Sequence, residues 1–282
     1  MRSFSRLGPE AAASPLRFRA PLLMGVVNAT PDSFYPASRA TGEAAVERAL
    51  RLIDEGADML DVGGQSTRPG SDAVPLEAEL ARVIPLVKTL AKRTKVPISV
   101  DTDKAAVAAE ALDAGARIIN DVSALRADAD MARVAARAER VVLMHMLGTN
   151  PKTMQAAPKY EDAVAEVREF LSERLDAFAA AGGDPARVWI DPGVGFGKRL
   201  EDNLELIRHV GDLAAVAPIL LGVSRKSFLG KISPDEGPED RLPGSLALAA
   251  WAGFAGVAVL RVHDVAQTKK ALQTLAAVAG IA

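Results

Sequence analysis

Ala57-Asp-Met-Leu-Asp-Val-Gly-Gly-Gln-Ser-Thr-Arg-Pro-Gly70 is the stretch on which the fold turns. Met59 to Val62 is short and apolar and reads as a buried strand. It contains Asp61, passes through Gly63 and Gly64, and opens into a loop carrying Ser66, Thr67 and Arg68. A buried strand with a polar, Gly-rich exit is what an α/β protein shows at the carboxyl end of its sheet, where sites are built.

The pattern recurs in both directions. Upstream, Leu22 to Asn28 is an apolar run ending in an amide. Downstream, Pro97 to Val100 ends at Asp101, Arg117 to Ile119 at Asn120-Asp121, and Val141 to Met144 at His145. Val188 to Ile190 ends at Asp191, Pro218 to Val223 at Ser224-Arg-Lys-Ser227, and Val257 to Val262 at Arg261-Val-His263-Asp264. Segments of helical period separate these runs. They start near Thr41, carry Leu80, Val83, Ile84 and Val87 with a kink expected at Pro85, and span Ala105–Ala114, Ala129–Ala138, Val164–Phe178, Asn203–Val210 and 240–253. A closing helix carries Val265, Leu272 and Leu275. Gly56, Gly115 and Gly256 each stand just before a strand. Near-continuous apolar strands are strands buried on both faces of a parallel sheet. Eight strands alternating with eight helices predict a single-domain α/β fold, a (β/α)8 TIM barrel; a doubly wound open sheet is the alternative.

The bulk composition fits. The 282 residues suit one large domain, 49% are apolar, and the net charge of −2 gives no reason to expect nucleic acid or an acidic membrane surface. With no cysteine, disulfides, Cys-ligated zinc and thiol nucleophiles are excluded, and a cytoplasmic location is expected. The most apolar run, Leu246 to Leu260, is 15 residues long; a spanning helix needs roughly 20. Residues 1–20 hold four arginines and no apolar segment of signal type, so they read as a flexible arm before a barrel over 21–282.

A barrel would bring its strand ends to one mouth: Asn28, Asp61, Asp101, Asn120, Asp121, His145, Asp191, Ser224, Lys226, Arg261 and His263. Asp101, Asn120 and Asp191 suit a flat heterocycle with several N–H donors. Arg68, Arg261, His263 and Thr67 suit phosphate oxygens, and Asn28 could offer an oxygen to Mg²⁺. Gly193-Val-Gly-Phe-Gly-Lys198 lacks the spacing of a P-loop or dinucleotide fingerprint and reads as a tight loop. His145, between Met144 and Met146, reads as a buried, hydrogen-bonded histidine. His209 is given no role.

Eight ordered blocks carry a resemblance over residues 20–280. They are Met24-Gly-Val-Val-Asn-Ala-Thr-Pro-Asp-Ser-Phe34, Asp61-Val-Gly-Gly-Gln-Ser-Thr-Arg-Pro-Gly70, Ser99-Val-Asp-Thr102, Ile118-Ile-Asn-Asp-Val122, Met144-His-Met146 with Pro151-Lys-Thr-Met-Gln155, Asp191-Pro-Gly-Val-Gly-Phe-Gly-Lys198, Ser224-Arg-Lys-Ser227 and Arg261-Val-His-Asp-Val265. The sequence resembles the dihydropteroate synthases. The resemblance implies a transferase of folate biosynthesis joining 6-hydroxymethyl-7,8-dihydropterin diphosphate to 4-aminobenzoate, with Mg²⁺ as cofactor and a homodimer formed on the far side of the barrel. It implies that Asp101, Asn120, Asp191 and Lys226 bind the pterin, and that Arg261 lies on its face and reaches phosphate. Asn28 would hold Mg²⁺, and Thr67, Arg68 and His263 the diphosphate. Phe34, Pro69 and Ser227 would wall the aminobenzoate pocket, where sulfonamides compete. Asp101, Asp191, Lys226, Arg261 and His263 are thereby the candidate catalytic residues.

Three departures stand out. Gln65 occupies a position where the family usually has Glu, which bears on how the second loop is held. Tyr35-Pro-Ala-Ser38 replaces the usual Ser-Asp-Gly-Gly and implies a stiffer first loop. One extra residue lies between Met146 and Pro151. Two alternatives use similar features: a methyltetrahydrofolate–corrinoid methyltransferase, which handles no diphosphate, and a non-catalytic pterin-binding barrel.

Overall fold

The structure, a computed structural model, describes residues 18–29, 41–65, 72–148, 153–155, 158–233 and 237–281. Its strands are β1 (Leu22–Asn28), β2 (Met59–Gly63), β3 (Ile98–Asp101), β4 (Ile118–Asp121), β5 (Arg140–Met144), β6 (Val188–Asp191), β7 (Leu220–Gly222) and β8 (Val259–Val262). Helices alternate with them: α1 (Thr41–Asp54), α2 (Leu76–Arg93), α3 (Ala105–Asp113), α4 (Met131–Ala135), α5 (Ala163–Ala180), α6 (Leu200–Arg208), the short α7 (Leu229–Ile232), α8 (Leu242–Phe254) and α9 (Val265–Val278).

All strand pairs are parallel, in the order β6-β5-β4-β3-β2-β1-β8-β7. β1 is hydrogen-bonded to both β2 and β8. A bridge between Ile190 and Ile219 joins the two outer strands, with the Ile190 N–H donating to the Pro218 carbonyl at 3.0 Å. The sheet therefore curls into a nearly closed barrel, and the open doubly wound alternative does not hold. Pro218 and Ile219, expected inside β7, serve this closure instead.

Two further boundaries, those of α4 and β8, moved for local reasons. The helix expected over 129–138 shrinks to α4, because turns at Asp128–Met131 and Ala135–Ala138 consume its ends. α2 runs through Pro85 as one element, with the Thr89 hydroxyl donating to the Pro85 carbonyl. β8 begins at Val259 rather than Val257, whose N–H closes the turn after α8 on Ala252. At the joints before β2, β4 and β8 the glycines have φ of 101°, 110° and 76°, a region that side-chain-bearing residues avoid.

Two apolar layers result. Outward-facing strand residues such as Leu23, Leu60, Val100 and Leu143 pack under the helices with Leu52, Leu90 and Leu171. Inward-facing Met24, Met59, Ile118, Val142, Leu220 and Val259 plug the amino end of the barrel, against Trp189. Burying each such side chain is worth about 1.5–3 kcal/mol, so both faces of every strand must be apolar below the mouth. The outer layer reaches back to Phe18, which is 4% exposed and meets Phe254 edge-on at 5.3 Å, ahead of the expected domain start at residue 21. No helix among the described residues is long and apolar enough to cross a membrane.

Candidate active site

The barrel's period of two decides which strand-end residues face inward. Asp61, Asn120, Asp191 and Arg261 each follow a member of the inner plug, or Trp189 packed against it, by two positions: Met59, Ile118, Trp189 and Val259. They form the next layer up, and Asp101 pairs with both Gly63 and Asn120 at that level. Asp121, one residue on from Asn120, belongs to the other face. Its carboxylate accepts from the N–H groups of Ser123 and Leu125 at 2.7 and 2.8 Å, so it shapes the β4 loop instead of the site.

Arg261 is the centre of the inner layer. Its Nε donates to Asp61 Oδ2 at 2.6 Å and its Nη2 to Asp101 Oδ2 at 2.9 Å. Asn120 Nδ2 donates to the same Asp61 oxygen at 3.2 Å. Burial works against the Arg261 charge, but Asp61, Asp101 and Asp191 outweigh it and hold the guanidinium firmly protonated. Burial pushes the Asp101 carboxyl up to about 8 even though Arg261 pulls it down, with Asp61 and Glu79 adding repulsion. Asp61 Oδ1 and Asp101 Oδ1 are buried and have no hydrogen-bond partner among the described residues. Buried carboxylate oxygens without a partner are costly, and here two of them line one cup.

Asp191 closes the far side of the cup. Burial raises its carboxyl, while the Gly193 N–H at 2.7 Å and the charges of Lys226, Arg261 and Lys198 oppose the rise. Lys226 sits over the Phe196 ring, its Nζ 4.3 Å from the centroid, and burial brings its ammonium down to about 8 despite Asp191. Strands β7 and β8 are tied at their exits. The Ser224 hydroxyl lies 3.2 Å from both the His263 N–H and Nδ1. Arg225, held at φ 56°, grips Asp264 with two bonds of 2.7 and 2.8 Å. Burial, then the Arg261 charge, lower His263 to about 4, so its ring is neutral at physiological pH.

Two groups at the mouth escaped the sequence reading. Glu79, wholly buried on α2, accepts from the Thr102 hydroxyl at 2.7 Å and from Lys104 Nζ at 2.6 Å. Lys104 also donates to Gln65 Oε1 at 2.9 Å, and that oxygen takes the Val74 N–H at 3.1 Å. Gln65 thus pins both ends of the second loop with one neutral oxygen. A signal for Glu79 was present: it shares a helical face with Val83, Val87 and Leu90. The other group is Lys198, which is buried against His145.

Asp101, Asn120, Asp191, Lys226 and Arg261 therefore converge, with His263 on the neighbouring rim. Asn28 ends β1 exposed, opposite Gly63 in register, and Ser227 is exposed beyond β7. Phe34, Thr67, Arg68 and Pro69 lie outside the described residues, as do Tyr35–Ser38 and 149–152.

A family profile described as "Pterin binding enzyme" matches residues 24–263. The dihydropteroate synthase of Escherichia coli K12 is 42% identical over 269 residues, covering 95% of each chain. The Xanthomonas albilineans dihydropteroate synthase with 4-aminobenzoic acid superposes with a TM-score of 0.86 at 47% identity, over 93% of this chain and 94% of that one. The same enzyme in complex with 7,8-dihydropteroate gives 0.82 at 46% identity, over 92% and 93%.

Proposed function

This chain belongs to the pterin-binding enzyme family, and from that premise we infer its function: it is a dihydropteroate synthase of folate biosynthesis. It condenses 6-hydroxymethyl-7,8-dihydropterin diphosphate with 4-aminobenzoate. The methylene carbon loses diphosphate, the arylamine nitrogen takes its place, and the amine gives up one proton.

We assign the roles as follows. The inner layer grips the pterin: Asn120 and Asp191 pair with the ring's N–H donors, as does the free oxygen of Asp101. Arg261 lies against the ring, held flat by its two carboxylates. Lys226, opposite Asp191, takes the ring's carbonyl side. The rim takes the leaving group. His263 is neutral and serves as a hydrogen-bond donor or acceptor, and Thr67 and Arg68 are assigned to the diphosphate with it. Phe34, Pro69 and Ser227 are assigned to the aminobenzoate, where a sulfonamide would compete. The contribution is electrostatic preorganisation: charges fixed beforehand around a leaving anion and a developing cation.

Mg²⁺ fits this site as a passenger of the substrate. Asn28 offers one exposed amide oxygen, and no group of three His, Asp or Glu side chains among the described residues is placed to hold a metal. The remaining ligands would be diphosphate oxygens and water, as Mg²⁺ prefers. Bound there, it would supply positive charge to neutralise the departing diphosphate.

The observation that supports this reading best is the cup itself: two buried carboxylate oxygens, unpartnered among the described residues, beside a fixed arginine on the inner face of the barrel. The test is diphosphate release by the purified protein. It should require both Mg²⁺ and 4-aminobenzoate. Release without the amine, or no release at all, overturns the reading. We further propose a homodimer through the outer helices, where Trp251 is 44% exposed; sedimentation should give twice the 29.6 kDa chain mass. A cytoplasmic location is proposed on the absence of cysteine.

A further inference from the structure

Lys198 is a buried ammonium with no part in the assignments above. Its three protons have three acceptors: His145 Nδ1 at 2.7 Å, the Gly193 carbonyl at 2.9 Å and the Phe196 carbonyl at 3.1 Å. The last two are the two ends of one turn, closed by the Phe196 N–H on the Gly193 carbonyl at 3.0 Å. That turn places the Gly193 N–H on Asp191 and the Phe196 ring under Lys226. The two pterin contacts on this side of the cup are thus built on the same few residues that Lys198 ties together.

We propose that Lys198 and His145 are a pair of positioning residues for the pterin site, in which the neutral imidazole accepts at Nδ1 and the ammonium clamps the Gly193–Phe196 turn beneath Asp191 and Lys226. The proposal rests on the synthase reading. Four observations support it. His145 is anchored at the strand ends, its N–H bonded to the Asp191 carbonyl at 2.9 Å. The turn crosses it so closely that a Cβ on Gly193 would lie 1.8 Å from the His145 carbonyl oxygen. The imidazole is fenced by Phe170, edge-on at 4.8 Å, and by Tyr160. Burial, with the charges of Lys198 and Arg126, drives the imidazole down to about 2, which leaves its ring free to accept.

A structural peg would not need the charge. Tyr160 and Asn203 already secure the same loop with neutral groups, on the Gly197 carbonyl at 2.9 Å and the Gly195 N–H at 2.6 Å. A buried ammonium is costly unless its field is used, and Lys198 is one of the charges that hold Asp191 down. Burial in turn brings Lys198 to about 7, so the clamp stands near the edge of its own protonation.

The test separates the two substrates. Lys198→Met and His145→Leu should raise KM for the pterin diphosphate about tenfold or more, the loss of a charge-assisted bond. KM for 4-aminobenzoate should stay within about twofold, because its pocket lies on other loops. His145→Asn, which returns a polar group near Nδ1, should recover most of the loss. In the wild-type protein at pH 6, where Lys198 is charged and His145 is neutral, ¹⁵N correlation spectra should show His145 protonated at Nε2 and bare at Nδ1. Equal changes in both KM values, no change in either, or a proton on Nδ1 would overturn the proposal. If Lys198→Met does not fold, the His145 variants and the wild-type spectrum still decide it. Inactive wild-type protein would instead sink the synthase reading.

Discussion

Replacing Arg261 with leucine is the sharpest perturbation this barrel offers. Among the described residues the guanidinium is the only group bonded to both Asp61 and Asp101, at 2.6 and 2.9 Å, and both carboxylates are at most 6% exposed. Leucine fills part of the space and removes the charge. Breaking a buried pair by deleting one partner costs about 3–5 kcal/mol, because a charge is left uncompensated. For a chain near this size each kcal/mol moves Tm by roughly 2–4 °C, so a drop of about 6–20 °C is expected. The deficit should depend on pH. Burial already raises Asp101 to about 8 with Arg261 pulling the other way; without that pull it goes higher. A carboxyl whose folded pKa lies above its unfolded value binds more protons when folded. Stability then falls as pH rises through the folded pKa and returns as pH drops below it. Scanning calorimetry of wild type and Arg261→Leu at pH 6 and pH 9 should show the larger gap at pH 9. Equal Tm values at both pH values, or a gap that widens on acidification, would refute the reasoning.

Three other outcomes follow from the geometry. Lys226→Ala and Asp191→Asn each remove a fixed charge from the cup, and steady-state turnover should fall by about 10²–10³ with the barrel intact by circular dichroism. Gly193→Ala puts a Cβ 1.8 Å from the His145 carbonyl at φ 64°; the conformation alone costs about 1–3 kcal/mol, so urea unfolding should shift to a lower midpoint and pterin binding should weaken. Gln65→Leu removes the acceptor of Lys104 and Val74, and KM for 4-aminobenzoate should rise by roughly 3–10-fold, while Gln65→Glu, which keeps the oxygen, should stay close to wild type.

The fold was legible in the sequence because its signal is local and repeated. Each strand is an apolar run with a polar exit, each helix an amphipathic period, and both survive without knowledge of partners. Some boundaries were set by distant contacts, since Pro218 and Ile219 close the barrel and Phe18 is drawn in by α8, whereas local turns set the ends of α4 and β8. Site membership was legible as well, since every inner-layer residue lies among the last three residues of its strand. Asp121 shows the limit of that signal. It ends β4 beside Asn120, yet the pleat turns it outward, and only pairing with β3 and β5 fixes that parity.

By itself, then, the order of residues determined the architecture, the family and the set of polar groups gathered at one mouth, because these depend on periodicity and on blocks of neighbours. Tertiary structure alone decided which groups are tied to which. Arg261 bonds to Asp61 across 200 residues of chain, Lys198 to His145 across 53, and Lys104 to Glu79 across 25. A buried charge takes its meaning from the partner that neutralises it, and that partner is chosen by barrel closure, not by distance along the chain.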